Sequence, residues 1–414
     1  MISNLYPPVA VGGYETRCAH TAQWLARRHE IVVLTSSLRR RGLKGEPDVY
    51  RDLPFVPEKR LGVLLAPLAS ARAVRVVKRA LRRHEPDLVF VWNASNIPRA
   101  GVRVAQGSKI PVAFSLADPW LGSFTKGDLF LRYLAGEARG WRGAWSWLMR
   151  LTNRLPWLRI ELEEAFPASL VWNSQALRNL TPIPSGVRPA LERVIHPTTA
   201  HERLFAAVRR SPAPMPTIAF VGRLEPEKAP DLAIRALALL RESHGLDVRL
   251  LLMGTGEPTV VSQLEDLVRA LRLEDRVELR GAVPIESVAS ALGEAHAIVV
   301  PSRWQEPFGL VCLEAALARV PVVASMSGGM PEMLEPGEEA LFFAIDDVDA
   351  CAAALADTLT DKSAAAERVR RARARADDYS LERYREAYDA FVEDALLAGR
   401  EALAASINSR ARVG

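Results

Sequence analysis

The sequence predicts an α/β protein made of two parallel-sheet domains, and three observations carry that expectation. Short apolar runs alternate with helical stretches along most of the chain, the pattern of parallel strands joined by right-handed crossovers. The 414 residues exceed the roughly 250–300 that one core usually supports. The alternation is interrupted at Ser211-Pro212-Ala213-Pro214-Met215-Pro216, a linker composition. The expected division is 1–200 and 201–380, with a final helix of about 381–400 packing back on the first domain.

The first half begins with Met1-Ile2-Ser3-Asn4-Leu5-Tyr6-Pro7-Pro8, the end of a strand running into a loop, with about three strand residues, short enough that a start upstream of Met1 is the alternative. Gly12-Gly13 then opens a helix to about Arg28, with Cys18, Ala22 and Leu25 on one face. Paired glycines before a helix let backbone N–H groups approach a ligand, or simply make a tight turn. Strands are expected at Ile31–Leu34, Asp87–Trp92, Val112–Leu116, Ser169–Trp172 and Arg193–Ile195. Arg39-Arg40-Arg41 reads as a loop and 68–84 as an amphipathic helix. Val74, Val77 and Leu81 form its apolar stripe, and Arg72, Arg75, Lys78 and Arg82 its basic one. Five of the nine tryptophans (Trp120, Trp141, Trp145, Trp147, Trp157) fall between 120 and 165, with Arg139, Arg142, Arg150 and Arg154 nearby. Such a mixture suits either a packed helical insertion or an interface with lipid or a bulky partner.

The second half alternates more cleanly. Strands are expected at Thr217–Val221, Val248–Met253, Val277–Leu279, Ala297–Val300, Val322–Ala324 and Ala340–Ala344. Helices are expected at Pro230–Glu242, to about Leu273, from Gly309 to before Pro321, and from Leu381 to about Ala398, with fraying from about Ala404.

Composition narrows the class. Hydrophobic content of 49% and charged content of 25% are those of an ordinary soluble globular chain. No apolar run approaches the ~20 residues of a membrane span. Cys18, Cys312 and Cys351 are far apart and have no metal-ligand spacing, which points to reduced thiols and a cytoplasmic protein. Residues 1–200 hold 29 basic and 15 acidic residues, net +14; the remainder, with 25 and 34, is −9. A basic half suits an anionic partner, such as a membrane surface or a phosphorylated substrate, or is a solvated arginine-rich face. No nucleic-acid-binding motif accompanies it, so none is expected as a partner.

The chemistry converges at the strand ends of the second half. Arg223 and Lys228 follow one strand, Gly254-Thr255-Gly256 a second and Gly281 to Val283 a third. Glu306, Gly309 and Glu314 follow a fourth. Two cations, glycine turns and a helix N-terminus suit a diphosphate without a metal. Two carboxylates add acceptors for sugar and ribose hydroxyls. No Asp-x-Asp pair is present to hold a divalent ion, and no metal or cofactor is expected. The residues alone suggest a nucleotide-linked sugar.

Glu306-Pro307-Phe308-Gly309 with Glu314 eight residues on resembles the E-x7-E signature of family 4 retaining glycosyltransferases, which have the GT-B fold of two Rossmann-like domains across a cleft. Gly222-Arg223-Leu224 with Lys228 resembles that family's phosphate-binding pair. Gly12-Gly13 resembles its N-terminal glycine loop, and Ser327-Gly328-Gly329-Met330-Pro331-Glu332 its G-G-x-P-E turn. The resemblance covers nearly the whole chain. It implies an N-terminal acceptor-binding domain and a C-terminal nucleotide-sugar-binding domain. It implies that Arg223 and Lys228 neutralise the diphosphate, that Glu306 binds sugar hydroxyls with the N–H groups of Phe308, Gly309 and Leu310, and that Glu314 holds the ribose. Val283 would contact the base through its backbone, and Gly12, Gly13, Gly254 and Thr255 would help bind the donor. Transfer would retain configuration by internal return, by positioning and charge stabilisation. The acceptor would be a lipid-linked or cell-surface glycan precursor or a specialised metabolite, with peripheral membrane contact through the basic first domain. Where many relatives carry His-Asp, this chain has Ala117-Asp118; Asp118 is retained as a catalytic candidate. Alternatives are a donor-binding protein with weak or no turnover, or a phosphorylase or epimerase on the same scaffold.

Overall fold

The computed structural model describes residues 1–9, 13–38, 46, 48–56, 62–124, 128, 131, 147, 151 and 165–411. The chain divides into two compact units. The first is Met1–Asn173, Leu177–Ile195 and Arg385–Gly414; the second is Ser174–Ala176 and His196–Tyr384.

The first unit holds a seven-stranded sheet in the order β3-β2-β1-β4-β5-β6-β7, and every pair is parallel. The strands are β1 Ile2–Ser3, β2 Val33–Ser36, β3 Val49–Leu53, β4 Val89–Asn93, β5 Val112–Leu116, β6 Phe166–Trp172 and β7 Val187–Val194. Strand order reverses between β1 and β4, the doubly wound pattern. The first strand is short, with two residues, yet Ile2 pairs with both Leu34 and Val91. β2 starts two residues later than expected, and β3 is an addition that its central Tyr50, Arg51 and Asp52 had hidden. The helix expected at 68–84 starts earlier and runs Gly62–His84, with Pro67 inside it. Helix Gly13–Leu25 stops before Arg28. Arg39-Arg40-Arg41, Trp141, Trp145, Trp157, Arg139, Arg142, Arg150 and Arg154 lie outside the described residues.

The second unit holds a six-stranded parallel sheet in the order β10-β9-β8-β11-β12-β13. Its strands are β8 Thr217–Val221, β9 Arg249–Met253, β10 Val277–Gly281, β11 Ala297–Val300, β12 Val322–Ser325 and β13 Leu341–Phe343. Side chains alternate across a strand. Ile218, Phe220, Leu250, Leu252, Ala297 and Val299 therefore face one core, with helices Pro230–Glu242 and Val348–Thr360. Ala219, Leu251, Met253 and Ile298 face the other, with Ile285–Glu294 and Leu310–Leu317. Both faces are covered, which is why these strands read as continuous apolar runs. The order reverses between β8 and β11. The loops after those two strands therefore open at the same edge, where doubly wound sheets bind ligands.

The last helix runs Leu381–Ala411, beyond the expected 400 and through the stretch expected to fray. Its Tyr388 and Phe391 pack on Phe90 and Trp92 of β4, and the Tyr388 and Ser115 hydroxyls lie 3.2 Å apart.

Candidate functional site

At the switch point of the second sheet, the loop after β8 closes as a three-residue 3-10 turn, Pro226–Lys228. The loop after β11 runs from Pro301 to Gly309. The two are tied together by backbone: the N–H groups of Arg303 and Trp304 donate to Glu227 O at 2.8 and 3.0 Å. That stitching brings the Lys228 ammonium onto the Glu306 carboxylate, where Nζ donates to Oε1. Glu306 is buried, and the Ser302 hydroxyl donates to the same oxygen at 2.6 Å. The Glu306 backbone is held as well. Its N–H donates to Ser327 Oγ at 3.3 Å, and its carbonyl accepts from Gly329 N–H at 2.7 Å. Gly328 makes the approach feasible: at φ +53° a Cβ there would stand 2.0 Å from Glu306 O. The G-G-x-P-E turn thus acts as a support for Glu306.

Glu314 lies in the helix Leu310–Leu317, whose N-cap is Gly309. The first N–H groups of such a helix have no partner four residues back. Burial pushes the Glu314 carboxyl up from its ordinary value to about 7, opposed by a hydrogen bond from Thr199. The Thr199 hydroxyl donates to Glu314 Oε1 at 2.8 Å and itself accepts from His201 N–H at 3.2 Å. Phe308 is core, stacked on His196 with ring centroids 5.2 Å apart, so only its backbone remains for a ligand. Cys312 is buried, its thiol pushed up to about 12 by burial, and it packs against Met330.

The remaining predicted residues of this unit surround the pair. Arg223 is exposed and bonded to Glu225 at 2.6 Å, rather than joining Lys228 and Glu306. Gly254 is forced: at φ +152°, a Cβ would sit 1.7 Å from Gly222 O. Thr255 O accepts from Leu224 N–H at 2.7 Å, fixing the β9 loop beside the β8 loop. Val283 is half-buried after β10, against the core behind β9 and β11. Among the described residues, no group of three His, Cys, Asp or Glu side chains could hold a metal ion.

In the first unit, Gly13 is the first residue of its helix, and Gly12 lies outside the described residues. Asp118 caps the 3-10 turn Pro119–Ser123, accepting from Trp120 N–H at 2.9 Å. Burial raises its carboxyl, with Glu15 adding to the effect and Trp120 N–H and Arg99 opposing it. Trp120 is core, whereas Trp147 is 67% exposed.

Sequence reading missed Ser302, Thr199 and Arg303. Ser302 stands four residues before Glu306 and was within reach of a loop-cap argument. Thr199 is 115 residues from Glu314, and no spacing rule links the two.

Solved structures share this architecture. Sucrose-phosphate synthase from Thermosynechococcus elongatus superimposes with a TM-score of 0.70 at 20% identity, over 96% of this chain and 98% of that one. Anabaena HepE, solved with UDP-glucose, gives 0.65 at 20% identity over 95% and 98%. The fold is GT-B. A model described as glycosyl transferases group 1 matches residues 204–375, and one described as glycosyltransferase family 4 matches 11–159. Together these two matches span most of the chain, and the protein is a glycosyltransferase. Glycogen synthase of Mycobacterium tuberculosis is 29% identical over 404 residues, covering 91% of this chain and 89% of that protein. A D-inositol 3-phosphate glycosyltransferase from Kineococcus radiotolerans is 42% identical over 125 residues, 29% of this chain and 28% of that protein. Among the described residues no helix is long and apolar enough to cross a membrane.

Proposed function

We propose that the protein transfers a sugar from a nucleoside-diphosphate sugar to an acceptor with retention of configuration, using neither a metal nor a cofactor. The observation that carries this reading is the Lys228–Glu306 pair at the β8/β11 switch point. An ammonium and a carboxylate held together there are placed to exchange one another for a phosphate and a sugar hydroxyl. Arg223 and Lys228 neutralise the leaving diphosphate. Glu306 binds the sugar, aided by N–H groups of Phe308, Gly309 and Leu310, and Glu314 takes the ribose. The turns at Gly254-Thr255 and Val283 hold the nucleotide. HepE, a structural neighbour solved with UDP and with UDP-glucose, supports the donor class.

The acceptor is a lipid-linked or cell-surface glycan precursor or a specialised metabolite, met on the cytoplasmic face of a membrane. Helix Gly62–His84 supports the membrane contact. Leu68 is 70% exposed, and Arg72, Arg75, Arg79 and Arg82 continue its outer face with no carboxylate in 62–84. Trp147 and Leu151 are also exposed. Ala117 favours a second reading, donor binding with weak turnover.

A thermal-shift panel of nucleotide-sugars tests the donor reading. One donor class should stabilise the wild type, and the gain should vanish in Lys228→Ala and shrink in Glu314→Ala. If no nucleotide or nucleotide-sugar stabilises the wild type, the reading is wrong.

A further inference from the structure

We propose that Arg303 is the positioning residue of this site, setting where the Lys228 ammonium stands relative to the Glu306 carboxylate. The inference rests on the donor reading above. Arg303 belongs to the β11 loop, three residues before Glu306, but its side chain is engaged by other loops. Nη1 donates to Pro226 O at 3.0 Å and to Asp231 Oδ1 at 2.8 Å, and Nη2 to Asp231 Oδ2 at 2.9 Å. Nε reaches Asp346, after β13. With its backbone N–H on Glu227 O, one residue holds two successive carbonyls of the turn that ends in Lys228. The same residue holds the first turn of the helix Pro230–Glu242 and the loop after β13.

The turn needs such a hold. It has only three residues, and the next, Ala229, is left-handed at φ +51° and ψ +49° without the tolerance of a glycine. A lysine is a point charge on a flexible stem, so its position is set by where its Cα is anchored. The forked contact with Asp231 supplies a planar, two-point anchor that a lysine in place of Arg303 would not reproduce. Burial pushes the Asp231 carboxyl up, but hydrogen bonds and charge from Arg303 outweigh it and hold the group below its ordinary value, so the fork stays ionised. Arg303 would therefore act on the diphosphate through Lys228, without touching the donor.

Titration of UDP and UMP, ADP and AMP, and GDP and GMP into the full chain tests this. The readout is the preference for diphosphate over monophosphate, which a general loosening of the fold would leave unchanged. In the pair that binds best, Arg303→Gln should lower that preference roughly tenfold, as losing one well-placed charge-assisted contact does. Arg303→Lys should recover little of it. Asp231→Asn, which keeps the arginine and weakens the fork, should show an intermediate loss and serves if Arg303→Gln does not fold. An unchanged preference in folded Arg303→Gln or Asp231→Asn protein overturns the proposal and leaves the donor reading intact. If the wild type binds none of the six nucleotides, the donor reading fails and this inference falls with it.

Discussion

Glu314 works against the fold that holds it. Its carboxyl is raised from the ordinary 4.5 to about 7, chiefly by burial. The folded protein keeps this proton up to about pH 7, whereas the unfolded chain releases it near 4.5. Stability from this group is therefore lost as pH rises from 4.5 to 7, and the full penalty persists above that. It amounts to about 3 kcal/mol. Glu314→Gln should be more stable than the wild type by up to that amount at pH 8 and nearly equal to it at pH 4.5, as measured by urea unfolding. Equal stabilities at both pH values would contradict the assignment. A buried acid kept despite such a penalty is typical of a binding role. Thr199 moderates the penalty, and nothing in the sequence pointed to it. Glu306 and Glu314 could be read from their spacing within one stretch, but Lys228 and Thr199 reach them from segments 78 and 115 residues away.

Secondary structure was most legible where sheets are covered on both sides. β5, β8, β11 and helix Pro230–Glu242 lie where their apolar runs begin and end. It was least legible at the edge of the first sheet, where two of the five residues of β3, Arg51 and Asp52, are charged. Helix Gly62–His84 begins six residues before the expected 68, with Pro67 as its sixth residue. That helix carries its own test. Arg72, Arg79 and Arg82 lie on its outer face, seven and three residues apart. In helix Lys362–Ala376, three of the arginines are matched by nearby acids: Arg370 and Arg371 pair with Glu367, and Arg373 with Asp377. The triple variant Arg72→Glu, Arg79→Glu, Arg82→Glu should lose sedimentation with phosphatidylglycerol vesicles. Binding of the wild type should fall steeply between 0.05 and 0.3 M salt, roughly by an order of magnitude, and be absent from phosphatidylcholine vesicles. Equal binding of wild type and variant would remove this helix from any membrane contact.

At the scale of the whole chain, each unit has its own hydrophobic core: residues such as Val91, Phe114 and Leu170 in the first, and two clusters around β8 and β11 in the second. Two cores should give calorimetric unfolding with an enthalpy exceeding the van't Hoff value, and a saturating nucleotide should shift one component more than the other. A single transition with matching enthalpies would show that the two cores melt together. The alternation of strands and helices was enough to anticipate two parallel sheets, because crossover connections leave few other arrangements. The strand orders, and hence the switch points, needed the structure, since the same alternation is compatible with several orders.

The long last helix has a further consequence. Tyr388 and Phe391 cover Phe90 and Trp92, and Trp24 Nε1 donates to Asp389 at 3.0 Å. A ribosome makes the first sheet early and this cover last. The unit begun first is thus completed last, after the entire second unit has emerged, which reverses the usual order of domain folding during synthesis. Until then β4 presents an uncovered aromatic face, so a nascent chain stalled before Tyr388 is the species a chaperone would be expected to meet.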